Sequence, residues 1–306
     1  MSRLIGVDVG GTKVAMAVLQ DGSLGEAHVR PTEKAGPDEL VDQLAEAIGE
    51  LLPAEAVGIG VPSVVDFERG MARSSVNIPL EHVALRQILR KRLSVPVYVD
   101  NDGTVAAVAE AHGPDAKVDV RHLVMLTVGT GVGGGVVIDG HIYRGATGAA
   151  AELGHLIIGA DLTHGAPQPD GFPQPGSLER LAAGRELDHL AQERGLEDGP
   201  GAVAAAQRGD ERGLECLRIL GERLGIGIAN IINTFDPDVV VVGGGAGSAA
   251  GELLLGPARE TAKLFVLRGV GTKTEIRAAR YGKEAGVLGA ALMAGQELLL
   301  EEDAVR

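Results

Sequence analysis

Apolar residues at every second position near the start of the chain predict a β-hairpin. The alternation runs over residues 5–9 and again over residues 14–18, which is the period of a β-strand. Between the two runs lies the turn Gly10–Lys13, of sequence GGTK, and a Gly-Gly turn between such runs is typical of a tight hairpin. We therefore predict a hairpin over residues 4–19.

The chemistry of this turn indicates a phosphate site. Glycine lets backbone N–H groups approach an anion closely, while Thr12 and Lys13 add a donor and a cation. Asp8, one strand step before the turn, could hold a hydrated Mg²⁺. An ordinary tight hairpin without a ligand is the alternative. Residues 6–13 also nearly match the Walker phosphate loop, but Thr12 and Lys13 stand in reverse order and a strand follows where that loop must open a helix.

The next apolar segments predict alternating helices and strands. Helical spacing marks residues 40–51 and 85–93, and short apolar runs predict strands at 57–61 and 95–99. The second strand leads directly into three polar residues, Asp100, Asn101 and Asp102.

Asp102 therefore lies at the C-terminal end of a predicted strand. Open α/β sheets bind ligands at that end, which makes Asp102 a candidate for chemistry. A further helix is predicted over residues 104–111, and Asp and Asn are strongly favoured as helix N-caps. On these residues alone, the catalytic and the capping interpretation are equally good.

A second copy of the opening pattern follows a break in the chain. Residues 113–115, Gly-Pro-Asp, mark the break, and we place a domain boundary near Val118. The pattern over residues 123–138 again predicts a strand, a glycine turn that contains a threonine, and a second strand. Two related halves are therefore predicted, and two such loops facing one another could clamp the phosphates of one nucleotide. Residues 129–134 also fit the dinucleotide fingerprint, which must open a helix, whereas a strand follows here.

Later segments supply further polar candidates. Glu152 and His155, three residues apart, would share one face of a helical turn, although a surface glutamate and a hydrogen-bonded histidine are the commoner outcome. A proline-rich loop spans residues 159–177, and Glu179 follows it at the start of a predicted helix that includes Leu181 and Leu187. A buried strand ends at Gly243–Gly245, and a helix is predicted to resume over residues 252–255. Strand, glycine turn and helix make a good nucleotide site, or only a tight connection.

Length and composition narrow the class of protein. The 306 residues suggest two domains, which we place at 1–117 and 118–285, with an apolar helix at 286–306 packing onto the first. The net charge of -14 argues against a nucleic-acid surface, and the apolar runs are too short to span a membrane. One cysteine, Cys216, excludes an internal disulfide, and a strand starting by Leu4 leaves no room for a signal peptide. We expect a cytoplasmic protein.

Together these motifs resemble the ROK family of sugar kinases and repressors over nearly the whole chain. Each motif is weak alone, but the ordered set is specific. The resemblance implies an α/β fold of two actin-like (ribonuclease-H-like) domains with an interdomain active-site cleft. The matching motifs are DVGGTK at Asp8–Lys13, NIP at Asn77–Pro79, ND at Asn101–Asp102, GTGVGGG at Gly129–Gly135, ELGH at Glu152–His155 and GGG at Gly243–Gly245.

The resemblance implies an ATP-dependent kinase, most simply a glucokinase, that phosphorylates the 6-hydroxyl of a hexose and uses Mg²⁺ with ATP. Asp102 would be the general base. A homodimer or homotetramer is implied as well. The implied sugar ligands are Asn77, Asn101, Asp102, Glu152, His155 and Glu179. The implied nucleotide ligands are Gly10, Gly11, Thr12, Lys13, Gly129, Thr130 and Gly131 on the phosphates, Asp8 near the metal, and Gly244 and Gly245 facing the adenosine.

One family feature is missing, and several functions stay open. The family usually carries a CxCGxxGC zinc knuckle, whose last cysteine matches Ser177 here, and the loop at 159–177 contains no cysteine. We therefore expect no structural zinc. Glucose, mannose, fructose, N-acetylglucosamine or another amino sugar could be the acceptor, and ATP or polyphosphate the donor. A repressor is disfavoured because the chain is acidic and only three residues precede the first strand, where repressors carry a winged helix-turn-helix. The retained Asp102 argues against an inactive sensor.

Overall fold

A computed structural model describes residues 2–75 and 77–305 of the chain. They form two compact units. The first unit comprises the chain up to residue 121, residues 135–151 and the chain from residue 283 onward; the second comprises residues 122–134 and 152–282. The division at 117/118 that the sequence suggests stays a prediction.

The secondary structure of the described residues alternates between strands and helices. The strands are β1 (Arg3–Val9), β2 (Lys13–Gln20), β3 (Ser23–Leu24), β4 (His28–Pro31), β5 (Ala56–Val61), β6 (Ser63–Asp66), β7 (Met71–Ser75), β8 (Val97–Asn101), β9 (Leu123–Val128), β10 (Val132–Ile138), β11 (His141–Ile142), β12 (Val239–Gly243) and β13 (Glu275–Ala278). The helices are α1 (Pro37–Gly49), α2 (Leu85–Leu93), α3 (Asp102–Ala111), α4 (Leu178–Ala182), α5 (Gly184–Glu193), α6 (Gly199–Gln207), α7 (Glu211–Phe235), α8 (Gly244–Ala250), α9 (Glu252–Phe265) and α10 (Ala285–Val305).

A mixed sheet forms the centre of the first unit. Its strands lie in the order β3-β2-β1-β5-β8, and β4 also pairs with β2. β1 and β2 are antiparallel with Val9 opposite Val14, which confirms the predicted hairpin and leaves the glycines in its turn. β1, β5 and β8 run parallel, and their register aligns Asp8 with Gly60 and Gly60 with Asp100. The two acidic residues therefore lie near the same C-terminal edge of the sheet.

Helix α10 packs directly on this sheet because two strand glycines leave room for it. A Cβ on Gly6 would collide with the carbonyl oxygen of Val287, and one on Gly58 with that of Ala290. Glycine inside a strand is otherwise unfavourable, so the close approach of the helix explains both positions.

The second sheet repeats the order of the first. Its strands lie in the order β11-β10-β9-β12-β13. β9, β12 and β13 are parallel, and β10 and β11 are antiparallel. In both sheets a glycine turn joins the first strand to a neighbour on one side, and parallel strands lie on the other. This repeat agrees with the two related halves expected from the sequence.

Two predicted helix starts are wrong. β8 extends to Asn101, so α3 begins at Asp102 rather than at Thr104. After β12, α8 begins at Gly244, whereas the sequence suggested that the helix resumes only at Glu252.

The single helix predicted from Glu179 through Leu187 is divided into α4 and α5. Ala183 between them is extended, with φ -79° and ψ 169°. The break has a tertiary cause, since the N–H of Gly184 donates to the carbonyl of Gly129 at 2.7 Å instead of continuing the helix.

Among the residues that the structure describes, every helix is either too short or too polar to cross a bilayer.

Candidate functional site

The turn between β1 and β2 is fixed by hydrogen bonds that leave its last two residues exposed. The N–H of Gly10 donates to the carbonyl of Lys13 at 2.9 Å, and the Thr32 hydroxyl donates to the carbonyl of Gly10 at 2.7 Å. Asn77 lies against the turn, because a Cβ on Gly11 would be 3.1 Å from the Cβ of Asn77. A predicted sugar ligand therefore adjoins the predicted phosphate turn.

Asp8 is a largely buried carboxylate at the end of β1, and its pKa is raised to about 6. Burial is the main cause, the nearby charge of Asp102 raises the pKa further, and Lys13 lowers it. Gly286, in the first turn of α10, lies against this carboxylate: a Cβ there would be 2.6 Å from its carbon atom. Asp8, Asp102 and Lys13 thus form one charged cluster.

At the junction of β8 and α3, the helix cap and the candidate base are two different residues. Asn101 is the N-cap of α3, because its Oδ1 accepts from the N–H of Thr104 at 3.1 Å. The Asn101 amide also donates to the carbonyl of Ser63 at 3.3 Å. Asp102 is instead the first helical residue, and its Oδ1 accepts from the N–H of Gly103 at 2.8 Å. The capping alternative raised for Asp102 therefore applies to Asn101.

A buried ion pair lies directly behind this junction. The side chain of Asp100 is 2% exposed, and its Oδ2 accepts from Nε of Arg144 at 2.7 Å. Burial raises the pKa of Asp100, and Arg144 opposes that rise. Nη2 of Arg144 lies 2.8 Å from Oε1 of Glu297 on α10. The guanidinium also lies over the ring of Phe67, with its Cζ 3.4 Å from the ring centroid.

The second glycine turn, between β9 and β10, is held by a carboxylate. Oε2 of Glu179 accepts from the N–H of Val132 at 2.7 Å. A Cβ on Gly131 would collide with the Glu179 carboxylate as it lies here, so glycine leaves room for this approach. The N–H of Gly129 donates to the carbonyl of Gly131 at 2.9 Å, which closes the turn. The structure thus brings predicted phosphate and sugar ligands together here as well.

A cavity of about 640 Å³ adjoins this second turn within the same unit. Gly129 and Thr130 form one end of it, and Gly245 of α8 lines its wall. Gly244 is needed where α8 starts, because its φ is +81° and a Cβ would lie 2.5 Å from the carbonyl oxygen of Val128. No heavy atom lies within 4 Å of a Cβ on Gly245. The apolar lining is Leu187, Pro200, Val203, Ala204, Ala246 and Ala249.

Glu152 and His155 share a 3-10 turn, as their spacing predicts, and both side chains are exposed. Nε2 of His155 lies 4.0 Å from Oε2 of Glu152, and the imidazole makes an edge-to-face contact with Phe172 at 5.8 Å between ring centres. At the position of the family's last knuckle cysteine, the Ser177 hydroxyl caps α4 by accepting from the N–H of Arg180 at 3.2 Å.

No group of three His, Cys, Asp or Glu side chains suited to a metal is found within residues 2–75 and 77–305. The absence of structural zinc stays a prediction.

The candidates gather in two sets, each within one unit, and Glu152 and His155 form a separate pair. Sequence reasoning missed Arg144 and Glu297, whose partners are far away in the chain, and Arg185, which lines the cavity. The first set is Asp8, Gly10, Gly11, Thr12, Lys13, Asn77, Asn101 and Asp102. The second is Gly129, Thr130, Gly131, Glu179, Gly244 and Gly245.

The ROK family model matches residues 4–297, and the chain belongs to the ROK family. It is 33% identical to a glucokinase of Streptomyces coelicolor over 96% of this chain and 98% of that protein. An N-acetylmannosamine kinase and a xylose repressor are also among its relatives.

Solved structures of the same family share the fold. A ROK hexokinase from Thermus thermophilus superposes with a TM-score of 0.82 at 35% identity, covering 97% of this chain and 99% of that one. A ROK family glucokinase from Streptomyces griseus, in complex with glucose and AMPPNP, superposes with a TM-score of 0.78 at 30% identity, covering 96% and 100%. These matches confirm the predicted family and its two-domain actin-like fold.

Proposed function

We propose that the chain is an ATP-dependent hexose kinase that phosphorylates the 6-hydroxyl, with glucose as its first candidate substrate. The glucokinase relatives support this class of reaction. Because an N-acetylmannosamine kinase is 32% identical over 96% of the chain, family membership alone does not select the sugar.

The observation that carries the proposal is the charged cluster beside the first glycine turn. Asp102 begins α3 at the C-terminal end of β8, is close enough to Asp8 to raise its pKa, and is not the helix cap. In the proposed step, Asp102 accepts the proton of the sugar 6-hydroxyl. The oxygen then bonds to the γ-phosphorus, and the bond to the bridging oxygen breaks so that ADP leaves. Such transfer depends mainly on positioning and electrostatic stabilisation.

Asp8 fits a role beside a hydrated Mg²⁺. A buried carboxylate next to a second carboxylate is stabilised in its charged form by a cation, and burial and the charge of Asp102 both raise the pKa of Asp8. Proteins usually bind Mg²⁺ through one or two carboxylates, and phosphate oxygens and water fill the other ligand positions. The ion would neutralise charge on the phosphates, and Thr12 and Lys13, both exposed on the turn, would contact them.

The cavity beside the second turn supports a nucleoside triphosphate as the donor. Its apolar wall suits a purine and a ribose, whereas a polyphosphate chain needs a run of cations. The ionisable side chains that line it are Arg185, Asp188 and Asp198. Both carboxylates hold backbone N–H groups, Asp188 that of Gly199 at 2.8 Å and Asp198 that of Gly201 at 2.7 Å. This acidic, apolar lining favours ATP over polyphosphate.

The proposed sugar ligands are the polar side chains of Asn77, Asn101, Glu152, His155 and Glu179. Glu179 already accepts one backbone N–H through Oε2, so it is held in a fixed orientation. A buried acceptor that loses its sugar hydroxyl costs about 1–3 kcal/mol, which gives a basis for discrimination among hexoses.

A coupled assay tests the proposal. The purified chain is given Mg²⁺ with ATP or polyphosphate, and a panel of glucose, mannose, fructose, N-acetylglucosamine and N-acetylmannosamine. We expect sugar-dependent formation of ADP and a sugar 6-phosphate, fastest with ATP and glucose. No sugar-dependent ADP formation with any member of the panel would exclude the proposed function.

A further inference from the structure

Two arginines of the first unit occupy closely matched surroundings. Nη2 of Arg144 lies 2.8 Å from Oε1 of Glu297, and Nη2 of Arg86 lies 2.7 Å from Oε1 of Glu301, one turn further along α10. Both guanidiniums lie over the ring of Phe67, with Cζ 3.4 Å from the ring centroid for Arg144 and 5.9 Å for Arg86. Both side chains are mostly buried, at 19% and 16% exposure.

The two arginines differ in what else they reach. Arg86 extends toward the ring of Tyr98, with Cζ 5.0 Å from its centroid. Arg144 donates from Nε to the buried carboxylate of Asp100 at 2.7 Å. Asp100 lies next to the cap residue Asn101, whereas Tyr98 lies two residues before Asp100 on β8.

Asp100 uses both carboxylate oxygens at that junction. Oδ1 accepts from the N–H of Asn101 at 2.8 Å, and Oδ2 accepts from Arg144. Asn101 in turn caps α3, whose first residue is Asp102. Because Asp100 is almost completely buried, water cannot stabilise its charge, and the guanidinium does so instead. The chain of contacts from Arg144 through Asp100 and Asn101 therefore ends one residue before the candidate base.

We propose that Arg144 is a positioning residue for phosphoryl transfer, which holds Asp100 and thereby fixes the backbone that carries Asp102. The inference rests on the proposed function. Arg144 donates a hydrogen bond to Asp100 through Nε and forms an ion pair with Glu297 through Nη2, and the single ammonium of a lysine cannot match this planar geometry. A displacement of about 1 Å at a reacting group can lower a rate roughly 10²-fold.

Steady-state kinetics on matched variants test this role. In Arg144→Met we expect kcat to fall by about 10- to 100-fold, while the KM for ATP stays within about threefold of the wild type, because the nucleoside cavity is untouched. Arg144→Lys retains the charge, so it can be measured even if Arg144→Met does not fold. Its kcat should lie between those of the wild type and the methionine variant.

Arg86→Met is the control, since it removes an arginine of similar burial, ion pairing and ring contact. Its melting temperature should fall less than that of Arg144→Met, because Glu301 is 43% exposed whereas Asp100 is 2% exposed, and its kcat should stay within about twofold of the wild type. An Arg144→Met enzyme with wild-type kcat would overturn the proposal, and so would an equal loss of kcat in Arg86→Met.

Amide hydrogen exchange supplies a readout that does not depend on activity. In Arg144→Met, the amides of Asn101, Gly103 and Thr104 should exchange faster than in the wild type, and in Arg86→Met they should not. Unchanged exchange at these amides in Arg144→Met would contradict the positioning role. If the wild type phosphorylates no sugar, the proposed function fails, and the exchange result still decides whether Arg144 orders the junction.

Discussion

The two glycine turns share one topology but are supported by different chemistry. The first turn is closed by main-chain and threonine hydrogen bonds, and ionisable groups, Asp8 and Lys13, flank it. The second is closed around the Glu179 carboxylate and opens onto an apolar cavity. Under the proposed function, this repeated fold divides its roles, with charged groups for the reaction beside the first turn and a cavity for the nucleoside beside the second.

The largest expected effect comes from removing the charge beside the first turn. Asp102→Asn should lower kcat by about 10²- to 10⁴-fold, because the amide cannot accept the hydroxyl proton. Asparagine still offers an oxygen to the N–H of Gly103, so the fold should persist. Nucleotide affinity, measured by calorimetry, should change little. Near-normal turnover would show that the charged cluster is not the reaction centre.

Filling the cavity beside the second turn should weaken ATP binding rather than slow phosphoryl transfer. Gly245→Leu projects a side chain into open space, and we expect the KM for ATP to rise by about tenfold or more. Gly256→Leu on α9 is the matched control, because a Cβ there also meets no heavy atom within 4 Å and the residue does not line the cavity. An unchanged KM for ATP in Gly245→Leu would mean that the nucleoside binds elsewhere.

Glu179 supports the second turn and is also a proposed sugar ligand, so a variant can separate these two roles. Glu179→Gln keeps an oxygen for the N–H of Val132, so the turn should survive. The weaker acceptor should lower kcat/KM for glucose by about tenfold. Rates with a panel of deoxyglucoses would show which hydroxyl it contacts. Equal kcat/KM in the variant and the wild type would confine Glu179 to a structural role.

The raised pKa of Asp8 predicts that the difference in unfolding free energy between the wild type and Asp8→Asn depends on pH. Its pKa is raised in the folded chain from 3.8 to about 6, so ionisation destabilises the native state increasingly as pH rises between those values. Asp8→Asn should therefore gain stability relative to the wild type above pH 6, by up to about 3 kcal/mol, and gain none below pH 4. Denaturant unfolding at pH 4 and pH 8, without nucleotide, measures this. A difference that does not change with pH would contradict the raised pKa of Asp8.

The smallest expected effect concerns the loop that precedes α4. If residues 159–177 need no metal, dialysis against EDTA should leave the melting temperature unchanged, and activity should return fully with Mg²⁺ alone. One tightly bound zinc per chain, found by elemental analysis, would contradict this.

The sequence predicted what depends on local pattern and missed what depends on distant partners. Period-two alternation located β1 and β2, because the large apolar side chains at their alternate positions lie on one face of the sheet, and helical spacing located α2 at Leu85–Leu93. The break between α4 and α5 was missed because its cause is a hydrogen bond from Gly184 to Gly129.

The candidate site divides in the same way. Motif order pointed to Asp102, and only the structure showed that Asn101, not Asp102, caps α3. Arg144 gave no local signal, because its partners Asp100 and Glu297 lie far away along the chain.

The most direct test of this division of work measures nucleotide affinity and single-turnover phosphoryl transfer on the same two variants. We expect Asp102→Asn to bind ATP as the wild type does and to transfer its phosphate at least about 10²-fold more slowly. We expect Gly245→Leu to bind ATP about tenfold or more weakly and to transfer at a near-normal rate once ATP is saturating. Loss of both affinity and transfer rate in either variant, with the fold intact, would contradict separate roles for the two turns.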